Sequence, residues 1–251
     1  MSETWVDKEQ LERFKCKIKY AGLFVVQSQD RGGGLALLWQ KGVSIWVDSF
    51  SKFHIDALIN GGTNEVWRFT GFYGELDTNA RDEAWNMLHM LNSKPHFPWL
   101  CMGDFNEILL TEEKQGGRVC PHGQMQAFRD VLDVCGFVDL GFTSPEFTWQ
   151  GNRHGHMVWE RLYRGVANYD WMAKYLAASF RHLHCFASNH RPILLLLDPN
   201  GESVRWKHKP FRFEEMWLAD QGCWDIVKKA WEVRPRGQLV GVYALKSNLL
   251  V

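Results

Sequence analysis

A carboxylate and a carboxamide follow a short apolar run in the middle of the chain, and they are the first residues that suggest chemistry. The run at residues 99–102 ends at Gly103, and Asp104 and Asn106 come after this glycine. A hard cation such as Mg²⁺ prefers oxygen ligands and takes one or two protein carboxylates. A carboxamide can hold a phosphate oxygen or a water molecule without adding charge. The pattern fits a phosphate-and-cation site, although Asp-x-Asn after a strand also forms an ordinary Asx turn.

A histidine opens the last apolar run before the C-terminal segment. His190 lies in the polar stretch at residues 188–192, immediately before the apolar residues 193–197. Histidine titrates near neutral pH, so at the edge of a strand it can act as a general base or donate to a phosphoryl oxygen. The alternative is a solvated loop histidine, and spacing alone favours that alternative.

Hydrophobic periodicity predicts the elements that must position these residues. The predicted helices span residues 7–19, 79–91, 124–135 and 169–176. The predicted strands span residues 22–27, 33–39, 43–47, 54–59, 66–73, 99–102, 147–149, 157–159, 180–186 and 193–197. Runs of strands with helices inserted between the later ones predict an α/β sandwich, in which two sheets pack face to face and helices cover them.

Composition sets limits on the partners and the domain organisation. The 251 residues carry a formal net charge of zero, so no whole-molecule field attracts nucleic acid, and any contact with a polyanion must be local. The six cysteines form no CxxC pair, and we expect a reduced, intracellular protein. The longest apolar run is too short for a membrane span.

One main domain is predicted at 1–198, followed by a basic and aromatic segment at 199–251.

Two pairs of histidines have a spacing that zinc could use. His154 and His156 are two residues apart, as are His182 and His184, which we predict to share one face of a strand. No cysteine or acid completes either set of ligands. We therefore predict no zinc site.

Many short blocks of the sequence, in order, resemble the exonuclease-endonuclease-phosphatase superfamily, which includes apurinic/apyrimidinic endonucleases and deoxyribonuclease I. More narrowly, they resemble the endonuclease region of plant non-LTR (LINE-type) retrotransposon polyproteins. The blocks are SET (2–4), GGLALLW (33–39), FSKFHIDA (50–57), WRFTGFYG (67–74), PWLCMGDFNEIL (98–109), FTW (147–149), ERL (160–162) and SNHRP (188–192). PFRFEEMW (210–217) resembles the connector to the reverse transcriptase, a domain that this sequence does not contain.

The resemblance implies a fold, a substrate and a role for each matching residue. The implied fold is a DNase I-like four-layer sandwich of two packed mixed sheets with flanking helices. Glu3 matches the metal-binding glutamate, for Mg²⁺ with Mn²⁺ as an alternative. Tyr73 matches a tyrosine that contacts the scissile phosphate of DNA, Asp104 the acid that orients or activates the attacking water, and Asn106 its partner in the transition state. His190 matches the histidine that stabilises the pentacovalent phosphate.

Three departures from the family pattern predict weak or absent activity. The first strand and its metal-site asparagine are missing before Glu3, which should leave an unpaired sheet edge or a slot between strands. Tyr163 stands where the family has an aspartate, and Asn189 replaces the aspartate of Ser-Asp-His, so we expect His190 to lose its stabilising anion. In another class of hydrolase, replacing the acid beside a catalytic histidine by its amide lowers the rate by about 10⁴.

Three functions stay open at this stage. The first is a Mg²⁺-dependent DNA endonuclease that is degenerate in its site. The second is a non-catalytic remnant that binds nucleic acid weakly through the basic residues 205–212. The third is a phosphatase or phosphodiesterase acting on a small substrate. Tyr163 and Asn189 favour the second over the first, and the polymerase connector disfavours the third.

Overall fold

The computed structural model describes residues 7–27, 34–143, 145–153, 155–185 and 188–198. Some of the sequence predictions fall outside these residues. They concern the metal ligand Glu3, His154 of the first histidine pair, and the basic and aromatic segment at 199–251.

Four α-helices, one 3₁₀ helix and thirteen strands are formed by the described residues. The α-helices are α1 (Lys8–Lys17), α2 (Arg81–Asn92), α3 (His122–Val134) and α4 (Tyr169–Lys174), and the 3₁₀ helix is η1 (Thr111–Glu113). The strands are β1 (Gly22–Val26), β2 (Leu35–Trp39), β3 (Ile45–Ser51), β4 (His54–Ile59), β5 (Trp67–Tyr73), β6 (Trp99–Asp104), β7 (Lys114–Gln115), β8 (Val138–Asp139), β9 (Trp149–Arg153), β10 (His156–Glu160), β11 (Tyr163–Ala167), β12 (Ser179–His182) and β13 (Ile193–Leu196).

A six-stranded mixed sheet forms the centre of the fold, in the order β3-β4-β5-β6-β11-β8. Strands β5 and β6 are parallel, and the other neighbours are antiparallel. The remaining described strands form a three-stranded sheet, β7-β10-β9, and two hairpin pairs, β1-β2 and β12-β13. The predicted packing of mixed sheets with helices is confirmed, although the described strands form four hydrogen-bonded sheets rather than two. Within the described ranges, no ladder of hydrogen bonds joins β1-β2 to β12-β13.

Helices α2 and α3 cover one face of the central sheet. Their apolar residues recur every three or four positions, which places them on one side of each helix. In α2 the buried residues are Ala84, Trp85, Leu88 and Leu91, and in α3 they are Met125, Phe128, Val131 and Leu132. The rings of Trp85 and Phe128 stack at 4.9 Å, and both residues belong to the largest apolar core.

The two hairpin pairs cover the opposite face. Leu35 of β2 packs with Ile55 and Tyr73 of the central sheet. Leu195 of β13 packs against the cluster that contains Leu100. Because side chains alternate along a strand, the face that carries Leu100 and Met102 of β6 also carries Asp104. The Asp104 carboxylate at the end of β6 therefore lies on the face of the central sheet that the two hairpin pairs cover.

The structure corrects the prediction at several strands. Strand β6 continues through Gly103 to Asp104 instead of stopping at residue 102, and β9 begins only at Trp149. Strand β12 ends at His182, so His184 lies beyond the strand and the two histidines do not share one of its faces. Strand β11 was not predicted from the sequence, although all five of its residues are buried.

One structural histidine makes the stability of the fold dependent on pH. His182 stacks on Phe142 with ring centroids 4.4 Å apart, and its Nδ1 donates to the Pro145 carbonyl oxygen at 2.7 Å. The buried Nε2 atom has no hydrogen-bond partner among the described residues. Burial lowers the pKa of His182 to about 4, although the Pro145 carbonyl acts to raise it. The folded protein therefore holds this imidazole neutral.

We expect the stability to fall as the pH drops from 6.5 to about 4. In this window the unfolded chain binds a proton at His182 and the folded chain does not, so protons favour unfolding. Above 6.5 the two states bind the same number of protons at this residue, and the effect disappears. Urea unfolding across this pH range measures the slope. The His182→Gln variant should show a shallower slope than the natural chain, and an unchanged slope would contradict the assignment.

No helix in the described ranges is both long and apolar enough to cross a membrane.

Candidate active site

The end of the central sheet places Asp104 between two tyrosines. Tyr73 ends β5, Asp104 ends the parallel strand β6, and Tyr163 begins the antiparallel strand β11. Asp104 is the register partner of Tyr73 on one side and of Tyr163 on the other. Residues that face each other across neighbouring strands project to the same side of a sheet. The three side chains therefore form one row, which we name the Tyr-Asp-Tyr row.

Close backbone contacts fix the loop that follows Asp104. A Cβ atom at Gly74 would lie 2.2 Å from the Phe105 carbonyl oxygen, and one at Gly103 would lie 2.0 Å from the Phe72 carbonyl oxygen. Only glycine allows strands β5 and β6 to approach so closely at these two points. The Gly74 N–H also donates to the Asp104 carbonyl oxygen at 2.7 Å. The carboxylate is thus held on a rigid part of the backbone.

Asn106 bends back over this loop with a φ of 54°. Its N–H donates to Oδ1 of Asp104 at 3.0 Å, which is the Asx turn that the sequence offered as the simpler interpretation. Its Nδ2 donates to the Gly74 carbonyl oxygen at 2.8 Å. An amide nitrogen carries two hydrogens, so one donor and the Oδ1 acceptor are not used by these two bonds. The Asx turn and a role in a site are compatible.

His190 lies beside the Tyr-Asp-Tyr row. Its Nδ1 is 4.0 Å from Oδ2 of Asp104, and its ring centroid is 5.5 Å from that of Tyr163 in an edge-to-face arrangement. The side chain of Asp104 is fully buried, whereas that of His190 is 24% exposed. A distance of 4.0 Å is longer than a hydrogen bond but short enough for strong attraction between an imidazolium and a carboxylate. His190 is therefore partly accessible to solvent and lies next to the fully buried acid.

Strand β9 holds the loop that carries His190. Trp149 and His190 form an isolated antiparallel bridge. The Arg191 N–H donates to the Thr148 carbonyl oxygen at 2.7 Å, and the Gln150 N–H donates to the Asn189 carbonyl oxygen at 3.0 Å. The position of His190 thus depends on backbone pairing with a neighbouring element as well as on its own local turn.

The structure changes the account of the two departures, Tyr163 and Asn189. Asn189 is exposed, while Tyr163 is buried and its ring faces His190. Asn189 supplies no anion, but the Asp104 carboxylate lies 4.0 Å from Nδ1 of His190, so the histidine still has an acid nearby. Tyr163 is therefore the departure that most directly changes the surroundings of the histidine.

Several residues that support the site have no signal in the sequence. Glu107, directly after Asn106, is buried and forms a salt bridge with Arg81 at the start of α2. The hydroxyl of Thr148 accepts hydrogen bonds from the N–H groups of Leu162 and Tyr163 at 2.8 and 2.9 Å. These contacts anchor the loop after β6 and the start of β11. These contacts join residues that are far apart in the sequence, and hydrophobic periodicity does not predict such pairs.

The described residues do not form a complete metal site. Asp104 supplies one buried carboxylate, and its Oδ1 accepts the Asn106 N–H. No group of three or more His, Cys, Asp or Glu side chains in the described ranges is arranged to hold a metal ion. Glu3, the metal ligand implied by the resemblance, lies outside the described residues.

Comparison with solved structures identifies the fold. The endonuclease domain of TRAS1, a telomere-specific non-LTR retrotransposon, aligns with a TM-score of 0.57 and 12% identity over 77% of this chain and 93% of that domain. The 3′ phosphatase NExo from Neisseria, bound to product DNA hairpin, aligns with a TM-score of 0.53 and 16% identity over 77% of this chain and 85% of that chain. No protein-family model and no curated protein sequence matches the chain. The DNase I-like architecture implied by the resemblance is confirmed, and identities this low show the fold alone.

Proposed function

We propose that the chain is a phosphodiester hydrolase that nicks DNA, with a low turnover caused mainly by Tyr163. One observation carries the proposal. A fully buried carboxylate, Asp104, lies at the end of the central sheet with Nδ1 of a partly exposed histidine 4.0 Å away. The two solved structures reported above are an endonuclease domain and a phosphatase bound to DNA, which supports this type of reaction on this fold.

Each residue of the proposed site has one task. Asp104 takes the proton of the attacking water, the water oxygen forms a bond to phosphorus, and the opposite P–O bond breaks to release the sugar oxygen, which takes a proton from solvent. His190, in its charged form, faces the phosphoryl oxygens where negative charge develops. Tyr73 contacts the scissile phosphate through its phenol, and Asn106 offers its unused amide donor.

The requirement for Mg²⁺ is part of the proposal and depends on Glu3. A divalent cation would neutralise charge on the phosphate. Plasmid nicking with Mg²⁺, with Mn²⁺ and with EDTA tests this point. Nicking that persists in EDTA would reject the cation requirement, and loss of nicking in the Glu3→Gln variant would support the ligand assignment.

The origin of the chain is a separate proposal. We propose that it derives from the endonuclease region of a plant non-LTR retrotransposon polyprotein, in which residues 199–251 led to a reverse transcriptase. The ordered sequence blocks and the likeness to the TRAS1 domain support this origin. A longer reading frame at the native locus, with reverse transcriptase motifs after residue 251, would test it, and an unrelated sequence there would count against it.

We expect the Tyr163→Asp variant to nick DNA at least about tenfold faster than the natural chain. The new carboxylate would add negative charge beside His190, at the position that the Tyr163 ring now fills. Asn189→Asp should have a smaller effect, because the Asn189 side chain is exposed. Initial rates of supercoiled plasmid nicking measure both, and Tyr163→Phe is the matched control, since it removes only the hydroxyl. A larger gain from Asn189→Asp than from Tyr163→Asp would reverse this ranking of the two departures.

A non-catalytic remnant that binds nucleic acid is the second candidate function. The observation that favours it is Tyr163, which fills a buried position beside Asp104 and faces His190 with a bulky ring. The same nicking assay separates the two candidates. Absence of nicking by the natural chain, by Tyr163→Asp and by the Tyr163→Asp/Asn189→Asp double variant would support the remnant. Release of phosphate from a 3′-phosphorylated oligonucleotide, without nicking, would support a phosphatase instead.

A further inference from the structure

A groove with basic residues lies on the three-stranded sheet. The groove has a volume of about 740 Å³. Lys114 of β7, Arg118 of the following loop, Arg153 of β9 and His156 of β10 contribute its polar lining. We name this set the basic groove. None of these residues belongs to the proposed active site.

The basic groove carries more positive than negative charge. Glu160 accepts contacts from Lys114 at 2.7 Å and from Arg153 at 3.3 Å. One carboxylate thus faces two cations and restrains both side chains. Arg118 is exposed, and no ion pair of Arg118 is found within the described ranges. Lys114, Arg118 and Arg153 against Glu160 make three cations and one anion, which leaves an excess of two positive charges.

A line of contacts connects the basic groove to the active site. The guanidinium of Arg153 lies 4.6 Å from the centroid of the Trp149 ring, a cation–π contact. The Trp149 ring is in turn 6.4 Å from the ring of His190, which is the residue beside Asp104. A polymer whose scissile phosphate lies at His190 would therefore have its neighbouring segment close to Arg153.

We propose that the basic groove binds backbone phosphates of the DNA strand that crosses the active site. The choice of DNA as the ligand rests on the proposed function. The chain has zero formal net charge, so attraction of a polyanion requires a local excess of this kind. Guanidinium groups donate to phosphate oxygens in a bidentate geometry, which suits Arg118 and Arg153. The groove positions the backbone without reading its sequence.

Binding of a fluorescein-labelled DNA duplex, measured by anisotropy in EDTA over a series of salt concentrations, tests the proposal without cleavage. We expect Arg118→Gln to weaken binding several-fold and to reduce the slope of log K against log salt by about 1, as loss of one phosphate contact predicts. Arg118→Glu should weaken binding further, because it reverses the charge. Arg13→Gln, an exposed arginine of α1, is the matched control and should leave the slope unchanged. Thermal melting of each variant checks its folding.

Unchanged affinity and slope in Arg118→Glu would overturn the proposal, as would absence of DNA binding by the natural chain at low salt. Groove-dependent binding of an RNA duplex, with no binding of the DNA duplex, would overturn the choice of DNA. The outcomes also separate this proposal from the proposed function. If Asp104-dependent nicking occurs while Arg118→Glu binds normally, only the groove proposal fails. If no variant nicks but binding depends on Arg118, only the catalytic proposal fails.

Discussion

The Asp104→Asn variant should nick plasmid DNA about 10²–10⁴-fold more slowly than its parent, which is the range that a general base contributes. An amide has the shape of the carboxylate but cannot take the proton of the attacking water. Its oxygen can still accept the Asn106 N–H, so the turn after β6 is retained. The substitution also removes the negative charge that lies 4.0 Å from His190. The measurement is made in the natural chain and in the Tyr163→Asp background, where the faster parent widens the observable range.

The control for this experiment is Asp133→Asn on helix α3. Asp133 is exposed and lies outside the proposed site, so its loss should leave the rate unchanged. Thermal melting of both variants separates loss of chemistry from loss of fold. Nicking by Asp104→Asn at the parental rate, in a folded protein, would remove Asp104 from the mechanism and with it the main support for the proposed function.

The part of the site that the sequence could predict lies at the ends of apolar strands. Strands β5 and β6 both have uninterrupted apolar or alternating patterns, and their ends locate Tyr73 and Asp104. The parallel pairing of these strands brings the two ends to the same edge of the sheet. The sequence pattern could not decide whether Asn106 forms an Asx turn or takes part in a site. Its N–H forms the Asx turn, and this backbone geometry is compatible with a role in a site.

The part that the sequence could not predict depends on polar residues in buried positions. Strand β11 contains Arg164 and Gly165 in its middle, so its residues do not show the apolar pattern of a buried strand. Arg164 is nevertheless fully buried, because acids from distant parts of the chain neutralise it. Tyr163 was identified from its place in a motif, but its position against His190 follows from β11, which was missed.

Two arginines and two acids form the buried ion network that holds β11 in place. Arg164 contacts Glu113 of η1 and Asp139 of β8, each at 2.7 Å. Arg161 contacts the same two acids at 2.7 and 2.8 Å. The four charges sum to zero, and the network joins η1, β8 and β11. Tyr163 lies between the two arginines in the sequence, so the network also sets one side of the Tyr-Asp-Tyr row.

The contribution of this ion network to the stability of the fold also depends on pH. Burial acts to raise the pKa of Glu113, but Arg164 and then Arg161 outweigh it and hold this pKa below its ordinary value of 4.5. The pKa of Asp139 is lowered from 3.8 in the same way, with burial opposing the two arginines. A carboxylate with a lowered folded-state pKa stabilises the protein above its ordinary pKa. This contribution is lost as the pH falls below about 4. The pH range is therefore lower than the range from 6.5 to about 4 in which His182 affects stability.

Arg164→Met is expected to lower the free energy of unfolding by about 3–5 kcal/mol, the usual cost of removing one partner from a buried ion pair. Methionine fills much of the space of the arginine stem but leaves two acids facing Arg161 alone, so one buried negative charge is uncompensated. Urea unfolding at neutral pH measures the change. The control is Lys52→Met, which breaks exposed pairs with Glu75 and Glu83 and should cost less than about 1 kcal/mol.

The same variant tests how β11 supports the site. The excess negative charge left by Arg164→Met should be relieved by protonation, so its stability deficit should shrink as the pH falls toward 4.5, the ordinary pKa of Glu113. A substitution that only opened a cavity would give a deficit that does not depend on pH. A loss below about 1 kcal/mol at neutral pH would mean that the network is screened like a surface pair. In that case Tyr163 would be positioned by the backbone of β11 and the Thr148 hydroxyl, without the charges.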